Sequence, residues 1–335
     1  MRPVVNSTFL SALAVLSCLF ASAQAKALDI KIVENQMILS GPIEVNDAWT
    51  FSRAVANNPH VDTIVFRNMP GGKLEAMTRM ASTVQERKLN TVVSGRCSSA
   101  CAHIFLAGET RRFSDDFPSH YAYLGFHGGY RSAGSLKGWG GQPATNEHVW
   151  YVNRTGGKLD PELVKRWLAM EQSSGLAIFY HNSPAKLRSS PSYLCARSMP
   201  IEQCEKIDKT ALDLGLITSA ELAPVKDTPY WKPDQYKKAA PISSILDGNT
   251  LDDGKKKDVE DYAKKTGAKA LALSGNGKWL AGTSHKEGHV LAIVSAISSC
   301  ESKVWTANSS VKCYVIAVDD HLTMSVEAIK AGKFD

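Results

Sequence analysis

Apolar and polar positions switch between strand-like and helix-like spacing over the stretch from Val65 to His127. The segments 62–68 and 90–94, which are rich in apolar and β-branched residues, predict two buried strands. A helix is predicted between them from four apolar residues at helical spacing: Leu74, Met77, Ala81 and Val84. Apolar runs at 102–107 and 121–126 predict a buried helix and a third strand. The pattern therefore alternates strand and helix and ends at a histidine.

Small residues fill the turns that follow the first two strands. Met69-Pro-Gly-Gly72 follows the first strand, and glycine makes such a turn easily. Gly95-Arg-Cys-Ser-Ser-Ala-Cys101 follows the second and leads into the buried helix. A serine where a strand turns into a helix lies near free N–H groups, which stabilise developing negative charge. The two turns together predict a serine nucleophile with an oxyanion hole. A histidine side chain has an ordinary pKa near 6.5, so His127 suits the role of base.

The same residues resemble a known family. Gly95 to Gly108 is similar to the nucleophile helix of the Clp protease proteolytic subunit, and Asn68-Met-Pro-Gly-Gly72 resembles that family's Asn-Ser-Pro-Gly-Gly. Gly125-Phe-His127 falls where its catalytic histidine is expected. The Cys-x-Ser-Ala-Cys form also resembles a group of secreted bacterial proteins in this superfamily. The similarity covers residues 35–217 and implies the α/β fold shared by the Clp protease and crotonase families, a spiral of ββα units.

The resemblance also implies roles for single residues. Ser99 matches the nucleophile and His127 the base. Ala100 and one of the two glycines, Gly72 or Gly71, match the oxyanion donors.

The family's third catalytic residue, an aspartate that orients the histidine, has no counterpart in this sequence. The corresponding window, 197–205, contains no aspartate, and Glu202 is the nearest acid. A glutamate can orient an imidazole, so Glu202 is a candidate, with a surface position as the alternative. A Ser-His dyad, or a scaffold that has lost catalysis, are the other interpretations.

The N-terminus has the pattern of a secretory signal peptide, predicted over residues 1–25. Arg2 precedes an apolar run at 9–20, and Ala23-Gln-Ala25 is a small-x-small cleavage signal. The run is too short for a stable membrane span. The mature protein is therefore predicted to be periplasmic or secreted. Lipoprotein attachment at Cys18 is the alternative, and the apolar run that continues past this cysteine disfavours it.

Six of the seven cysteines remain after cleavage, and they form three local couples: Cys97 and Cys101, Cys195 and Cys204, Cys300 and Cys313. An even number in an exported chain favours disulfides. Six cysteines allow 15 connectivities, of which we favour pairing between neighbours. Two reduced cysteines in the core are the alternative for Cys97 and Cys101. These two with His103 and His127 would also be conceivable zinc ligands, although export favours disulfides. We predict neither a metal nor a cofactor.

Beyond His127 the sequence predicts a long loop, a helix and a short closing helix. The loop, Tyr130 to Gly157, is rich in glycine and aromatic residues and is typical of a lid or binding loop. Asp160-Pro161 is a strong helix start. Ile207 to Leu214 predicts a short helix that ends at Gly215.

Composition divides the mature chain into three parts. Residues 27–222 carry the Clp protease/crotonase-like pattern, and residues 223–257, rich in Pro, Lys, Asp and Gly, are predicted to be a linker. Residues 258–335 predict a small α+β domain that a disulfide staples. Arg111 and Arg112 could hold a substrate carboxylate, with ordinary surface arginines as the alternative.

The net charge of +6 and the pI near 8.8 describe a mild basic excess that is spread along the chain, which disfavours nucleic acid as a partner. The sequence as a whole predicts an exported, peptidase-like serine hydrolase acting on a peptide or envelope substrate. A catalytically inactive scaffold that binds a peptide or envelope component is the alternative. Clp-type subunits assemble into rings, so a homo-oligomer is an open alternative to a monomer.

Overall fold

The computed structural model of the 335-residue chain describes most of the sequence after the predicted signal peptide. The described residues are 28–118, 122–128, 130–131, 135–136, 147–170, 175–181, 190–196, 199–227, 233–247, 250–286, 288–307 and 311–334. The predicted signal peptide and residues 132–134 and 137–146 of the predicted lid lie outside these ranges.

One large mixed sheet of nine strands forms the first part of the chain, in the order β1-β2-β3-β4-β6-β9-β10-β11, with β5 paired to β4. Its strands are β1 Asp29–Val33, β2 Gln36–Ser40, β3 Thr63–Met69, β4 Asn90–Ser98, β5 Arg111–Phe113, β6 Tyr123–Phe126, β9 Leu176–Tyr180, β10 Ser192–Cys195 and β11 Glu205–Ile207. The central strands β2, β3, β4 and β6 run parallel, and the pairs at both edges are antiparallel. A separate ribbon pairs β7 Tyr130–Arg131 with β8 Ser135–Leu136. The parallel centre brings the carboxyl ends of β3, β4 and β6 to one edge.

Helices accompany this sheet, and the core lies between the two layers. They are α1 Asp47–Asn57, α2 Leu74–Glu86, α3 Ala100–Leu106, α4 Glu147–Arg154 and α5 Pro161–Leu168. Phe51 of α1, Phe66 of β3, Met80 of α2 and Phe105 of α3 are fully buried in one hydrophobic cluster. The predicted strand and helix pattern of 62–107 is therefore confirmed, and the molecule belongs to the mixed α/β class.

A second, four-stranded antiparallel sheet follows, in the order β13-β12-β14-β15. Its strands are β12 Ala268–Ser274, β13 Leu280–His285, β14 Cys313–Val318 and β15 His321–Leu322, and its helices are α6 Asp253–Ala263, α7 His289–Thr306 and α8 Val326–Lys330. Three short 3-10 helices complete the described structure, at Ile201–Gln203, Pro233–Gln235 and Ile242–Ile245. No helix in the described part of the chain has the length and hydrophobicity to cross a membrane.

All three disulfides join neighbouring cysteines, as predicted. The Cα atoms of Cys97 and Cys101 are 5.3 Å apart, those of Cys195 and Cys204 4.7 Å, and those of Cys300 and Cys313 6.0 Å. Three disulfides fit an oxidising, extracytoplasmic compartment. Bonded to each other, Cys97 and Cys101 supply no thiolate to a metal, and no cluster of three or more metal-ligating side chains occurs among the described residues.

The closing segment after Cys204 differs from the predicted helix. Residues up to Ile207 form β11, and the backbone of this edge strand pairs with β10. A compact turn follows, in which the N–H groups of Leu216 and Ile217 both donate to the Ala211 carbonyl. Pairing with the sheet satisfies the backbone groups of the strand, which includes Ile207, and residues 211–215 form turns instead of a continuous helix.

The first residues of the predicted linker are fixed against the large sheet. Ala223 donates to the Phe113 carbonyl of β5 and accepts from Asp115 at 2.8 and 2.9 Å. Asp227 pairs with buried Arg67 of β3 at 2.8 Å. The predicted boundaries at 222 and 257 stay predictions, but the chain does not leave the sheet at residue 223.

Two arginines fix the C-terminal end of α3. Arg111 is 6% exposed, and Arg154 of α4 is partly buried. Together they donate six hydrogen bonds of 2.8–3.1 Å to five backbone carbonyls, those of Leu106, Ala107, Gly108, Gly215 and Leu216. Carbonyls at a helix C-terminus lack intrahelical partners and carry partial negative charge. Burial lowers the pKa of Arg111 to about 10. Arg111 therefore has a structural role and is not a surface arginine.

We predict that Arg111→Met lowers the free energy of unfolding by about 3 kcal/mol, because three buried carbonyls lose charged donors. Arg112→Met removes the neighbouring, more exposed guanidinium and should change the free energy by less than about 0.5 kcal/mol. Urea unfolding of the oxidised proteins measures both values. Equal losses for the two variants would contradict the proposed clamp.

Candidate functional site

Ser99 forms the elbow between β4 and α3. The strand ends at Ser98 and the helix begins at Ala100, so Ser99 is the single residue between them. Its φ of 58° and ψ of −127° lie in a region that residues with side chains rarely adopt. The Ser99 N–H donates to the Gly125 carbonyl of β6 at 2.7 Å, and the side chain is partly exposed between buried neighbours. The elbow therefore presents this serine at the edge of the sheet.

The glycine turn after β3 lies directly against this elbow. A Cβ at Gly71, where φ is +103°, would stand 2.5 Å from the Ser98 carbonyl oxygen, 2.6 Å from Ser99 Cβ and 3.0 Å from the Ala100 nitrogen. No side chain fits at that distance. The two turns that the sequence singles out are therefore in contact, and only glycine at position 71 allows it.

Gly72 is held by the segment that precedes α1. A Cβ at Gly72 would lie 2.0 Å from the Ile43 carbonyl oxygen. Ile43 donates to the Gly71 carbonyl at 2.8 Å and accepts from the Lys73 N–H at 2.9 Å. Ile43 thus bonds the backbone groups on either side of Gly72 rather than the Gly72 N–H. These two bonds fix the turn, and neither of them uses the Gly72 N–H group.

His127 follows β6 at the same edge of the sheet as Ser99. In the parallel pairing of β4 with β6, Ser98 stands opposite Gly125, two residues before His127. Adjacent strands lie about 4.8 Å apart, so the histidine and the serine leave neighbouring strands side by side. In the described residues no hydrogen bond joins Ser99 Oγ to His127; such contacts are often long before substrate binds.

The backbone orients the His127 ring. Nδ1 lies 2.6 Å from the Gly128 carbonyl oxygen; since a carbonyl only accepts, Nδ1 carries the hydrogen and Nε2 keeps its lone pair. The Gly128 N–H donates to the Trp167 carbonyl of α5 at 3.2 Å, which fixes the orienting group. Burial lowers the pKa of His127 below its ordinary value near 6.5. The imidazole is therefore neutral at neutral pH, as a general base must be.

Glu202, the acid that the sequence offers, lies on the exposed 3-10 helix Ile201–Gln203 inside the loop closed by Cys195 and Cys204. Within the described ranges it forms no hydrogen bond with His127. Its role as an orienting acid stays a prediction.

His103 and Tyr151 complete the site, and the sequence did not assign them this role. His103 lies one helical turn after Ser99, and its Nδ1 donates to the Ser99 carbonyl at 3.2 Å. Its Nε2 accepts from the Tyr151 hydroxyl. Burial lowers the pKa of His103 to about 4, so the ring is neutral. Because the Ser99 carbonyl and the Ala100 N–H share one peptide plane, this pair orients the predicted oxyanion donor.

Aromatic side chains enclose His103. The His103 ring stacks on Trp150 and meets Tyr151 edge-on, and Tyr151 in turn packs on Phe126 and Trp167. Tyr151 is fully buried. This apolar surround explains the low pKa of His103.

The fold and site together describe a mixed α/β protein with a disulfide-braced serine elbow facing a glycine turn and a histidine. No family model and no curated protein matches the sequence. Among solved structures, the Pseudomonas aeruginosa protein PA4980 aligns at 14% identity over 47% of this chain and 72% of its own, with a TM-score of 0.32. A TM-score this low carries no inference about fold or function.

We predict that the His103 pKa makes stability pH-dependent. His103 takes up a proton near pH 6.5 in the unfolded chain and only near pH 4 in the folded chain. The unfolded state therefore binds more protons between these values, and the unfolding free energy should fall by roughly 3 kcal/mol as pH drops from 6.5 to 4. His103→Asn should flatten this part of the profile.

The matched control is His60→Gln, which removes an exposed histidine and should leave the profile unchanged. Denaturant unfolding at a series of pH values measures the slope. A profile of equal slope in the wild type and His103→Asn would show that His103 is not the titrating group.

Proposed function

We propose that the chain is an exported serine hydrolase with a Clp protease/crotonase-like fold that transfers an acyl group from a peptide or ester to water. The observation that carries the proposal is the contact between the Gly71 turn and the Ser99 elbow, beside β6, the strand that His127 directly follows. The distances at Gly71 place the glycine turn against Ser99 Cβ and the Ala100 nitrogen. Such an arrangement suits an oxyanion rather than a structural serine.

The roles in the proposal are those that the resemblance implies, and the geometry supports them. His127 Nε2 removes the proton from Ser99 Oγ, which attacks the carbonyl carbon of the substrate. The oxyanion that forms accepts hydrogen bonds from the Ala100 N–H and from Gly71 or Gly72. His127 then returns the proton to the leaving group, and water hydrolyses the acyl-enzyme by the same steps.

The groups that hold His127 and Ser99 in place predict a modest rate of acyl transfer. A carboxylate stabilises the imidazolium formed during attack, whereas the Gly128 carbonyl offers only a dipole. The Cys97–Cys101 disulfide closes across the elbow, and the arginine clamp holds the far end of α3. Precise positioning therefore supplies part of what a buried acid would contribute.

The ββα spiral is part of the proposal. Strands β2, β3 and β4 are parallel neighbours, and each is followed by a helix that returns to the next strand. This alternation of parallel strand and helix supports a related α/β arrangement, and the helix after β4 directly follows the elbow.

Fluorophosphonate labelling of the mature, oxidised protein tests the proposal. We expect labelling at Ser99, identified by mass spectrometry of the modified peptide, and its loss in Ser99→Ala and His127→Ala. Ser98→Ala is the matched control, because Ser98 is a buried neighbour on the same turn, and it should keep the label. Labelling at another residue, or labelling that survives Ser99→Ala, would refute the assignment.

A binding scaffold without catalysis is the second candidate. The exposed position of Glu202, away from a hydrogen bond to His127 in the described residues, favours it. Absence of labelling in a folded protein with three intact disulfides would support this candidate over the hydrolase.

We further predict that the pH dependence of labelling has an apparent pKa below 6.5. Only the neutral imidazole accepts the serine proton, and burial lowers the pKa of His127, so reactivity should persist into mildly acidic buffer and fall only at lower pH. The labelling rate at a series of pH values measures the midpoint. A midpoint above 6.5 would contradict the description of His127 as a buried base.

A further inference from the structure

A cleft of about 700 Å³ separates β4 of the large sheet from α7 of the second sheet. Arg96 of β4 forms one wall, and the other is formed by Trp279, Ser298, Ser299, Ser302 and Lys303. Ligand sites of proteins typically have volumes of about 300–1,000 Å³ and a few convergent polar groups. The cleft has this size, two cationic side chains, three hydroxyls and one indole.

Arg96 has unused hydrogen-bond donors. Its Nε and Nη2 atoms are buried and have no hydrogen-bond partner among the described residues. These two nitrogens form one edge of the planar guanidinium, the edge that binds both oxygens of a carboxylate. Unsatisfied buried donors cost free energy, and a small rotation of the partly buried Arg96 side chain toward the cleft would present this edge to an anion.

The surrounding charges favour an anion with a single charge. Lys303 brings a second positive charge to the cleft, with one Nζ hydrogen bond to the Leu280 carbonyl at 2.6 Å. Glu301 lies near Arg96 and Lys312, and burial raises its pKa to about 7. A carboxyl group that ionises near neutrality repels a phosphate dianion more than a carboxylate. The indole of Trp279 offers an apolar surface beside the two cations.

We propose that this cleft binds a carboxylate attached to an apolar group, such as the C-terminal end of a peptide, with the carboxylate on Arg96 and Lys303 and the apolar group on Trp279. The cleft adjoins both turns of the candidate site. Asn68, which precedes the glycine turn, donates to the Ser298 hydroxyl at 2.8 Å, and Arg96 lies three residues before Ser99. The proposal rests on the cleft alone and does not require Ser99 to be reactive.

Calorimetric titration with two matched probes tests it: N-acetylphenylalanine, which has a carboxylate, and N-acetylphenylalaninamide, which does not. The full mature protein carrying Ser99→Ala is used, so that binding is measured apart from catalysis. We expect saturable binding of the acid and at least tenfold weaker binding of the amide, a difference of about 1.4 kcal/mol or more. Arg96→Gln and Lys303→Gln should each weaken binding of the acid by about tenfold and leave the amide unaffected.

Lys303 is exposed, so its variant keeps the test valid if Arg96→Gln does not fold. Arg53→Gln, which removes an arginine of α1 that stacks on Trp49, is the matched control and should bind like the parent protein. Equal affinity for acid and amide, unchanged affinity in Lys303→Gln, or no saturable binding of the acid in the millimolar range would overturn the proposal. Labelling of Ser99 is measured separately, so either proposal can fail without the other.

Discussion

The contact of Gly71 with the Ser99 elbow is the constraint on which the rest of the structure depends. A side chain at Gly71 would overlap the Ser98 carbonyl and Ser99 Cβ, so the two turns meet only because this residue has no Cβ. The parallel centre of the sheet brings both turns to one edge. Several other features then fix the parts that meet there, and each acts on the backbone rather than on the Ser99 hydroxyl.

The seven-residue helix α3 shows how that fixing is achieved. At its start, the Cys97–Cys101 disulfide and the His103–Tyr151 pair hold the strained elbow. At its end, Arg111 and Arg154 neutralise the last carbonyls. A helix this short has little stability of its own, so tertiary contacts must define its direction. The cost of the unusual backbone at Ser99, of order 1–3 kcal/mol, is offset by these contacts.

Features with local signals could be predicted from the sequence, and features made by distant residues could not. The strands, the elbow and the disulfides depend on periodicity and on cysteines 4 to 13 residues apart. Tyr151 meets His103 across 48 residues, and Arg111 meets Leu216 across 105. Tyrosine and arginine occur at many kinds of position, so no sequence pattern predicts the contacts of Tyr151 and Arg111. The predicted closing helix was wrong because Ile207 pairs with β10 across 15 residues and residues 211–215 form turns.

The second sheet and its helix α7 are bonded to strands of the large sheet that lead into the candidate site. Asn68 of β3 bonds Ser298 of α7, and Lys312 beside β14 pairs with Asp29 of β1 at 3.0 Å. Asn68 itself has a positive φ of 52°, immediately before the glycine turn. The α7 helix is thereby bonded to the residue that leads into the glycine turn. Because Arg96 of β4 lines the cleft and β4 leads directly into Ser99, a ligand held in the cleft would lie on the strand that positions the elbow.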